Sequence, residues 1–271
     1  MLRVDGANLY SRVEGVGPPV LLLQSGEGDA DRSADLVRHL TTDHTVISYD
    51  RRGLSRSVVD DPARPVTVAD HAADAHLLLA SLTGEPVTML GCSFGAMIGL
   101  RVAVDHPEQV RLLVAHEPSV LGLLPAAERA AVVATLRELQ RVHRAQGWRA
   151  VVPLLQELLG IDPANQEREP GLTVQPPLAG HRAANFDWFF TRDCDAMLAN
   201  PMTAADLAGL AAKVVPAAGR STDPAMFDHR CAVLLGAALG VPVADFPGAH
   251  NGNLTHPMAF AARLREVMVS H

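Results

Sequence analysis

The sequence predicts an α/β fold: a mostly parallel sheet with helices on both faces, interrupted by a helical insertion. Three observations predict it. Up to Pro118, short apolar runs alternate with segments of helical period, the spacing of parallel strands joined by crossover helices. Runs such as Pro19-Val20-Leu21-Leu22-Leu23 are apolar throughout, as strands covered on both faces are. From about Ala126 to Leu210 the period is helical with no convincing strand, and then strand and helix alternate again.

The elements follow in order. Leu2 to Val13 reads as a hairpin turning at Asp5-Gly6. The Pro19 to Leu23 strand ends in Gln24-Ser25-Gly26-Glu27-Gly28, and Ala34, Leu36, Val37 and Leu40 place a helix within Asp31 to Leu40. Thr45 to Tyr49 is a strand ending in Asp50-Arg51-Arg52-Gly53. A helix covers Thr67 to Leu82, capped by Thr67 or Asp70, with Gly84 past its end. Pro86 to Leu90 is a strand broken by Gly91, and the helix Phe94 to Asp105 stops at His106-Pro107. Val110 to Ala115 is a strand leading into His116-Glu117-Pro118.

In the insertion, Leu136, Leu139 and Val142 share one helix face, Ala150 to Leu159 is a second helix, and Ala183 to Ala199 is a third. Pro170 to Pro177 is a loop. Val214 to Ala218, Asp228 to Leu239, Pro242 to Phe246 and Pro257 to Val269 then alternate strand and helix. This divides the chain into a core of residues 1–118 and 211–271 and a helical insertion of 119–210.

The chain's 271 residues, 48% of them hydrophobic, suffice for a large core. A formal charge of -7 with no basic block argues against nucleic acid as a partner. The start, Met1-Leu2-Arg3-Val4-Asp5-Gly6, is unlike a signal peptide, and apolar stretches such as Val233 to Leu239 are too short for a membrane span. Three scattered cysteines, Cys92, Cys194 and Cys231, lack metal spacing and suit free thiols. The expectation is a soluble cytoplasmic protein with no metal, acting on a small molecule; a homodimer is left open.

Gly91-Cys92-Ser93-Phe94-Gly95 is a G-x-S-x-G motif with a strand before it and a helix after it. A serine on so sharp a turn needs small neighbours, which Gly91, Gly95 and Ala96 supply. The helix starting at Phe94 aims free N–H groups at any developing anion. The plainer alternative is a glycine-rich turn opening an ordinary crossover helix. Cys92 reads as a packed small residue.

This motif, with Asp50-Arg51-Arg52-Gly53-Leu54-Ser55-Arg56-Ser57 upstream and Phe246-Pro247-Gly248-Ala249-His250 downstream, resembles the α/β-hydrolase superfamily over nearly the full length, in particular serine-nucleophile bacterial members with a helical cap. The resemblance implies an eight-stranded, mostly parallel sheet and no cofactor. It implies Ser93 as nucleophile and His250 as general base, the latter in a Gly-flanked loop after the last strand. His256, six residues on, suits a capping or surface role.

The acid is expected in Gly219-Arg220-Ser221-Thr222-Asp223-Pro224, where Asp223 stands one residue later than the resemblance places it. Glu117, at the end of the preceding core strand, is the alternative, and a third outcome is no functioning acid. Otherwise Asp223 is a turn or cap residue and Glu117 a structural one.

Oxyanion donors are expected at the backbone N–H groups of Gly26 and Phe94, although Gln24-Ser25 replaces the usual His-Gly. Gln24, Ser25 and Trp188 are candidate pocket residues; most of the aromatics in 185–190 read as packing, and Asp50, Arg51, Gly53 and Ser57 as a structural brace. The implied function is hydrolysis of a carboxylic ester, lactone or thioester of a small, partly apolar metabolite through an acyl-enzyme. The competing reading is a non-hydrolytic member of the fold that binds, cyclises or rearranges a metabolite.

Overall fold

A computed structural model describes residues 1–173 and 181–271. Of the loop expected over Pro170 to Pro177, residues 174–177 lie outside the described residues.

β1 (Leu2–Val4) and β2 (Ala7–Leu9) form the hairpin at Asp5-Gly6, where Gly6 takes φ 72°. The β1–β2 ladder ends at Leu2 and Leu9, and the Tyr10 N–H donates to Ser57 Oγ at 2.9 Å. The chain then enters the main sheet as β3 (Ser11–Glu14), followed there by β4 (Pro19–Leu23) and β5 (Thr45–Tyr49). β6 (Val58–Val59) pairs with β2, closing a separate three-stranded sheet. β7 (Val87–Cys92), β8 (Val110–His116), β9 (Val214–Gly219) and β10 (Ala244–Phe246) complete the main sheet in the order β10-β9-β8-β7-β4-β5-β3. Every pairing in it is parallel except β3 with β5. The sheet therefore has seven strands rather than eight, since the hairpin pairs elsewhere.

The helices are α1 (Ala34–Leu40), α2 (Val68–Leu82), α3 (Phe94–Asp105), α4 (Ala126–Gln146), α5 (Trp148–Leu158), α6 (Arg182–Trp188), α7 (Cys194–Ala199), α8 (Ala204–Leu207), α9 (Phe227–Leu239), α10 (Gly252–Thr255) and α11 (Pro257–Val269). Alternation along β4 sorts them into two layers. Leu21 and Leu23 join the cluster of α2, α3 and α9, whereas Val20 and Leu22 join Leu36, Phe260 and Leu264 of α1 and α11. Both faces being covered explains the unbroken apolar strands. Among the described residues, the chain between β8 and β9 contains only helices, turns and loops.

The helix expected over Ala183 to Ala199 is broken by a π-turn at Phe189–Asp193 between α6 and α7. The turn places Asp193 wholly in the core, where it accepts from Arg51 Nη2 at 3.2 Å and Trp188 Nε1 at 3.2 Å and pairs with His71 Nε2 at 3.1 Å. One carboxylate thus ties the insertion to the sheet. The three cysteines are free and buried. Among the described residues no helix is long and apolar enough to cross a membrane.

Candidate active site

Strand register assembles the site. Cys92 pairs with His116 across β7 and β8, His116 with Ala217 across β8 and β9, and Gly219 with Phe246 across β9 and β10. The residues just beyond these pairs emerge together at the carboxyl ends of parallel strands, where α/β sheets bind ligands. Ser93 follows β7, Glu117 follows β8, and His250 lies in the loop after β10.

Ser93 takes φ 55°, ψ −120°, a conformation that costs a non-glycine residue roughly 1–3 kcal/mol. Its glycine neighbours permit this turn. A Cβ on Gly95 would lie 2.1 Å from the Leu23 carbonyl oxygen, and one on Gly91 would lie 2.6 Å from Ala96 Cα. Glu117 also has positive φ, at 45°, so two residues with strained backbones stand on neighbouring strand ends.

Glu117 is fully buried, and His250 is 4% exposed. His250 Nδ1 lies 2.7 Å from Glu117 Oε2, while Glu117 Oε1 accepts the Gly219 N–H at 2.9 Å. An ionised carboxylate can only accept, so His250 donates from Nδ1 and, when neutral, keeps Nε2 as an acceptor. Burial would raise the Glu117 pKa, but the His250 hydrogen bond and the nearby histidine charges outweigh it and hold it at about 2. Burial would likewise lower the His250 pKa, yet its bond to Glu117 and the charge of Asp228 carry it above the ordinary value.

Asp228 is the second acid of this cluster. Its Oδ2 lies 3.7 Å from His250 Nδ1, too far for a hydrogen bond, and neither of its oxygens has a partner of good geometry. Burial pushes its pKa up to about 7, against the pull of His250. The Ser93 hydroxyl shares a 3.1 Å hydrogen bond with Ser119 Oγ and makes none to His250.

Ser93, Ser119, Asp228 and His250 share one cavity of about 210 Å³, below the roughly 300–1,000 Å³ of drug-sized sites and so suited to a small molecule. Leu136, Val152, Leu155, Phe186, Phe189 and Phe227 give it apolar walls. The alpha/beta hydrolase fold family model matches residues 18–193, the span that carries Ser93 and Glu117. The chain belongs to the α/β-hydrolase fold family. The uncharacterized hydrolase YraK of Bacillus subtilis (strain 168) is 33% identical over 273 residues, covering 98% of this chain and 94% of that protein. A thermophilic esterase from Thermogutta terrifontis shares the fold with TM-score 0.74 at 17% identity, over 97% of this chain and 93% of its own. The enol-lactonase from Burkholderia xenovorans LB400 does so with TM-score 0.68 at 19% identity, over 98% of each chain.

In this α/β-hydrolase, three expected site residues lie elsewhere. Asp223 does not meet His250: it is exposed, and its carboxylate accepts the Ala225 N–H of its own turn at 2.8 Å. Ser221 N–H donates to the Gly248 carbonyl and Arg220 N–H to that of Phe246, pinning the loop to the strand beside it, so the additional residue turns outward. Gln24 is buried behind the cavity, its Oε1 accepting from Ser33 Oγ at 2.8 Å. Trp188 also lies off the cavity wall, packed on Gly53, where a Cβ would come within 2.1 Å of its ring.

Ser25, Gly26 and Phe94 do line the cavity. Arg51 donates to the Gln24, Ser25 and Gly26 carbonyls, bracing this loop. The amides of Gly26 and Phe94 have no acceptor among the described residues. His256 pairs its Nδ1 with Thr255 Oγ1 at 2.9 Å and stands before α11. Among the described residues, the grouping able to offer three metal ligands is His76, His106 and Glu108, and none of these lines the cavity.

Sequence reasoning did not single out Ser119 and Asp228, which line the cavity beside Ser93 and His250. Asp228 had a signal: it shares a helical stripe with Cys231, Ala232 and Leu235, an acid on an otherwise apolar buried face. Ser119 had none, because only register places it over Ser93.

Proposed function

We propose that the protein is a serine hydrolase that cleaves a carboxylic ester, lactone or thioester of a small, partly apolar metabolite through an acyl-enzyme. The observation that carries this reading is the buried 2.7 Å His250–Glu117 hydrogen bond on the same cavity as a strained Ser93. Ser93 Oγ leaves Ser119, gives its proton to His250 Nε2 and attacks the acyl carbon. Glu117 holds the Nδ1 proton and stabilises the imidazolium. The Gly26 and Phe94 N–H groups take the charge on the carbonyl oxygen. His250 then protonates the leaving group, and a water activated by the same histidine releases the acid. The described residues of 119–210 serve as the cap, lending the cavity Leu136, Val152, Leu155, Phe186 and Phe189. The esterase and lactonase that share the fold support this choice of substrate class.

A fluorophosphonate probe tests it: the native protein should label and Ser93→Ala should not. Equal labelling of the two removes Ser93 as nucleophile. Non-hydrolytic binding is the second reading, favoured by the resting Ser93–Ser119 bond. Ser93-dependent turnover of p-nitrophenyl esters of graded chain length decides against it, while ligand binding without turnover selects it.

A further inference from the structure

The cavity that holds Ser93 also carries a cluster of charged and polar groups that the acyl-transfer scheme does not use. Glu27, Arg32, Gln166, Arg168 and Arg182 line it, contributed by the loop after β4 and by chain inserted between β8 and β9. The charges do not balance. Arg182 Nη2 bonds Glu27 Oε1, and Arg32 Nε stands 3.7 Å from the same oxygen. One carboxylate thus faces two guanidinium groups, and Arg168, with no ion pair among the described residues, adds a third cation. Asp29 lies close enough to act on Arg32 but accepts from Ser55 Oγ, and it does not line the cavity. Counting both acids, the cluster still holds an excess of positive charge.

The packing just behind the cavity surface also leaves N–H donors unmatched. Arg32 Nε, Arg182 Nε and Gln166 Nε2 are buried and have no acceptor among the described residues. Buried N–H groups are normally paired, and leaving them unpaired is costly. Arg32 shows the strain electrostatically. Burial lowers its pKa to about 10, and the charges of Arg182 and Arg168 push the same way against the opposing pull of Glu27 and Asp29. Glu27 stays ionised, since the guanidinium charges of Arg182 and Arg32 outweigh the effect of its burial. Guanidinium groups lining a cavity in this way suit a planar anion with several acceptor lone pairs, which they bind in bidentate fashion.

We propose that Arg32, Arg182, Gln166 and Arg168 bind a free carboxylate of the substrate, separate from the group that Ser93 attacks. The substrate is then a monoester, lactone or thioester that carries a second, ionised acid. The apolar walls between hold the aliphatic or ring body that joins the two. This assignment rests on the hydrolase reading of the same cavity, but its donors can be tested without turnover.

Two measurements test it. Monomethyl esters of linear dicarboxylic acids, succinic to suberic, are compared with methyl esters of monocarboxylic acids of equal length. At one chain length the native protein should prefer the half-ester in kcat/KM by at least about tenfold, equivalent to about 1.4 kcal/mol. Arg32→Gln, and independently the exposed Arg168→Gln, should shrink that ratio. Neutral esters hydrolysed as well or better at every length, or a ratio unchanged in both variants, overturns the proposal. In the second measurement, Ser93→Ala protein is titrated with the matching free dicarboxylate and with its diamide. The dicarboxylate should raise Tm with the diamide inert, and Arg32→Gln on the same background should abolish the rise. No shift with any dicarboxylate, or an equal shift with inorganic phosphate, overturns the carboxylate assignment. If no ester is turned over but the dicarboxylate still binds through Arg32, the hydrolase reading fails and the carboxylate site stands.

Discussion

Replacing Glu117 by Gln is the sharpest test of the proposed triad, and its effect follows from the hydrogen bonds around the carboxyl. Oε1 accepts the Gly219 N–H at 2.9 Å, so the amide oxygen of Gln takes that position. The NH2 group is left facing His250 Nδ1, where Oε2 stood at 2.7 Å. Nδ1 must then accept, which puts the imidazole proton on Nε2, the nitrogen that has to receive the Ser93 proton. Losing a charge-assisted hydrogen bond alone costs roughly 1.5–3 kcal/mol, about ten- to hundredfold in rate. The wrong tautomer takes the loss towards the roughly 10⁴-fold known for the analogous change in a serine protease triad. We expect kcat/KM for p-nitrophenyl esters to fall about 10³-fold in Glu117→Gln, within 10²–10⁴. Asp223→Asn should stay within about twofold, as expected for an exposed surface substitution. The pH profile supplies a second readout. In the native protein the His250 pKa is raised, so the base is lost to protonation as pH falls through a value above the ordinary ~6.5. Glu117→Gln should move that acid limb to lower pH. Nearly full activity in Glu117→Gln together with collapse in Asp223→Asn would refute the reasoning.

Three further outcomes follow. Asp228 has its pKa raised from 3.8 to about 7, so it stabilises the fold relative to the unfolded chain at low pH, and that contribution is lost as pH rises from about 4 to 7. Asp228→Asn should therefore gain stability on the native protein by up to about 4 kcal/mol across that window, measured by urea unfolding; parallel pH–stability curves contradict this. Asp193→Ala leaves Arg51 and His71 buried without their shared carboxylate and should cost about 3–5 kcal/mol, whereas an unchanged Tm would show that the π-turn carries no such tie. Gly95→Ala drives a Cβ towards the Leu23 carbonyl oxygen at 2.1 Å; displacing the turn should cost at least about 1–3 kcal/mol and most of the activity, and native-like activity would contradict the packing.

Much of this protein is legible locally. Strand and helix alternation follows from side-chain period and from which faces are covered, and β4, β5 and β8 lie where apolar runs place them. The turn at Ser93 is legible because glycines at 91 and 95 answer a steric demand made by atoms a few residues away or in the adjoining strand. The hairpin is legible too, but not its partner: β2 pairs with β6, some 50 residues on, in a sheet apart from the main one.

The choice between Glu117 and Asp223 could not be read from spacing. Both stand just past a core strand, and only the register of β8 against β7 and β9 turns one carboxyl towards His250, while the pinned loop after β9 turns the other to solvent. The same holds for Asp228 and for the arginines around Glu27. By itself the sequence determined the α/β alternation and the sharp turn at Ser93, because these depend on neighbours along the chain. The tertiary structure alone decided which acid meets His250 and where positive charge is left unmatched, because a carboxylate's partners, burial and charge balance are set by residues that only folding brings together.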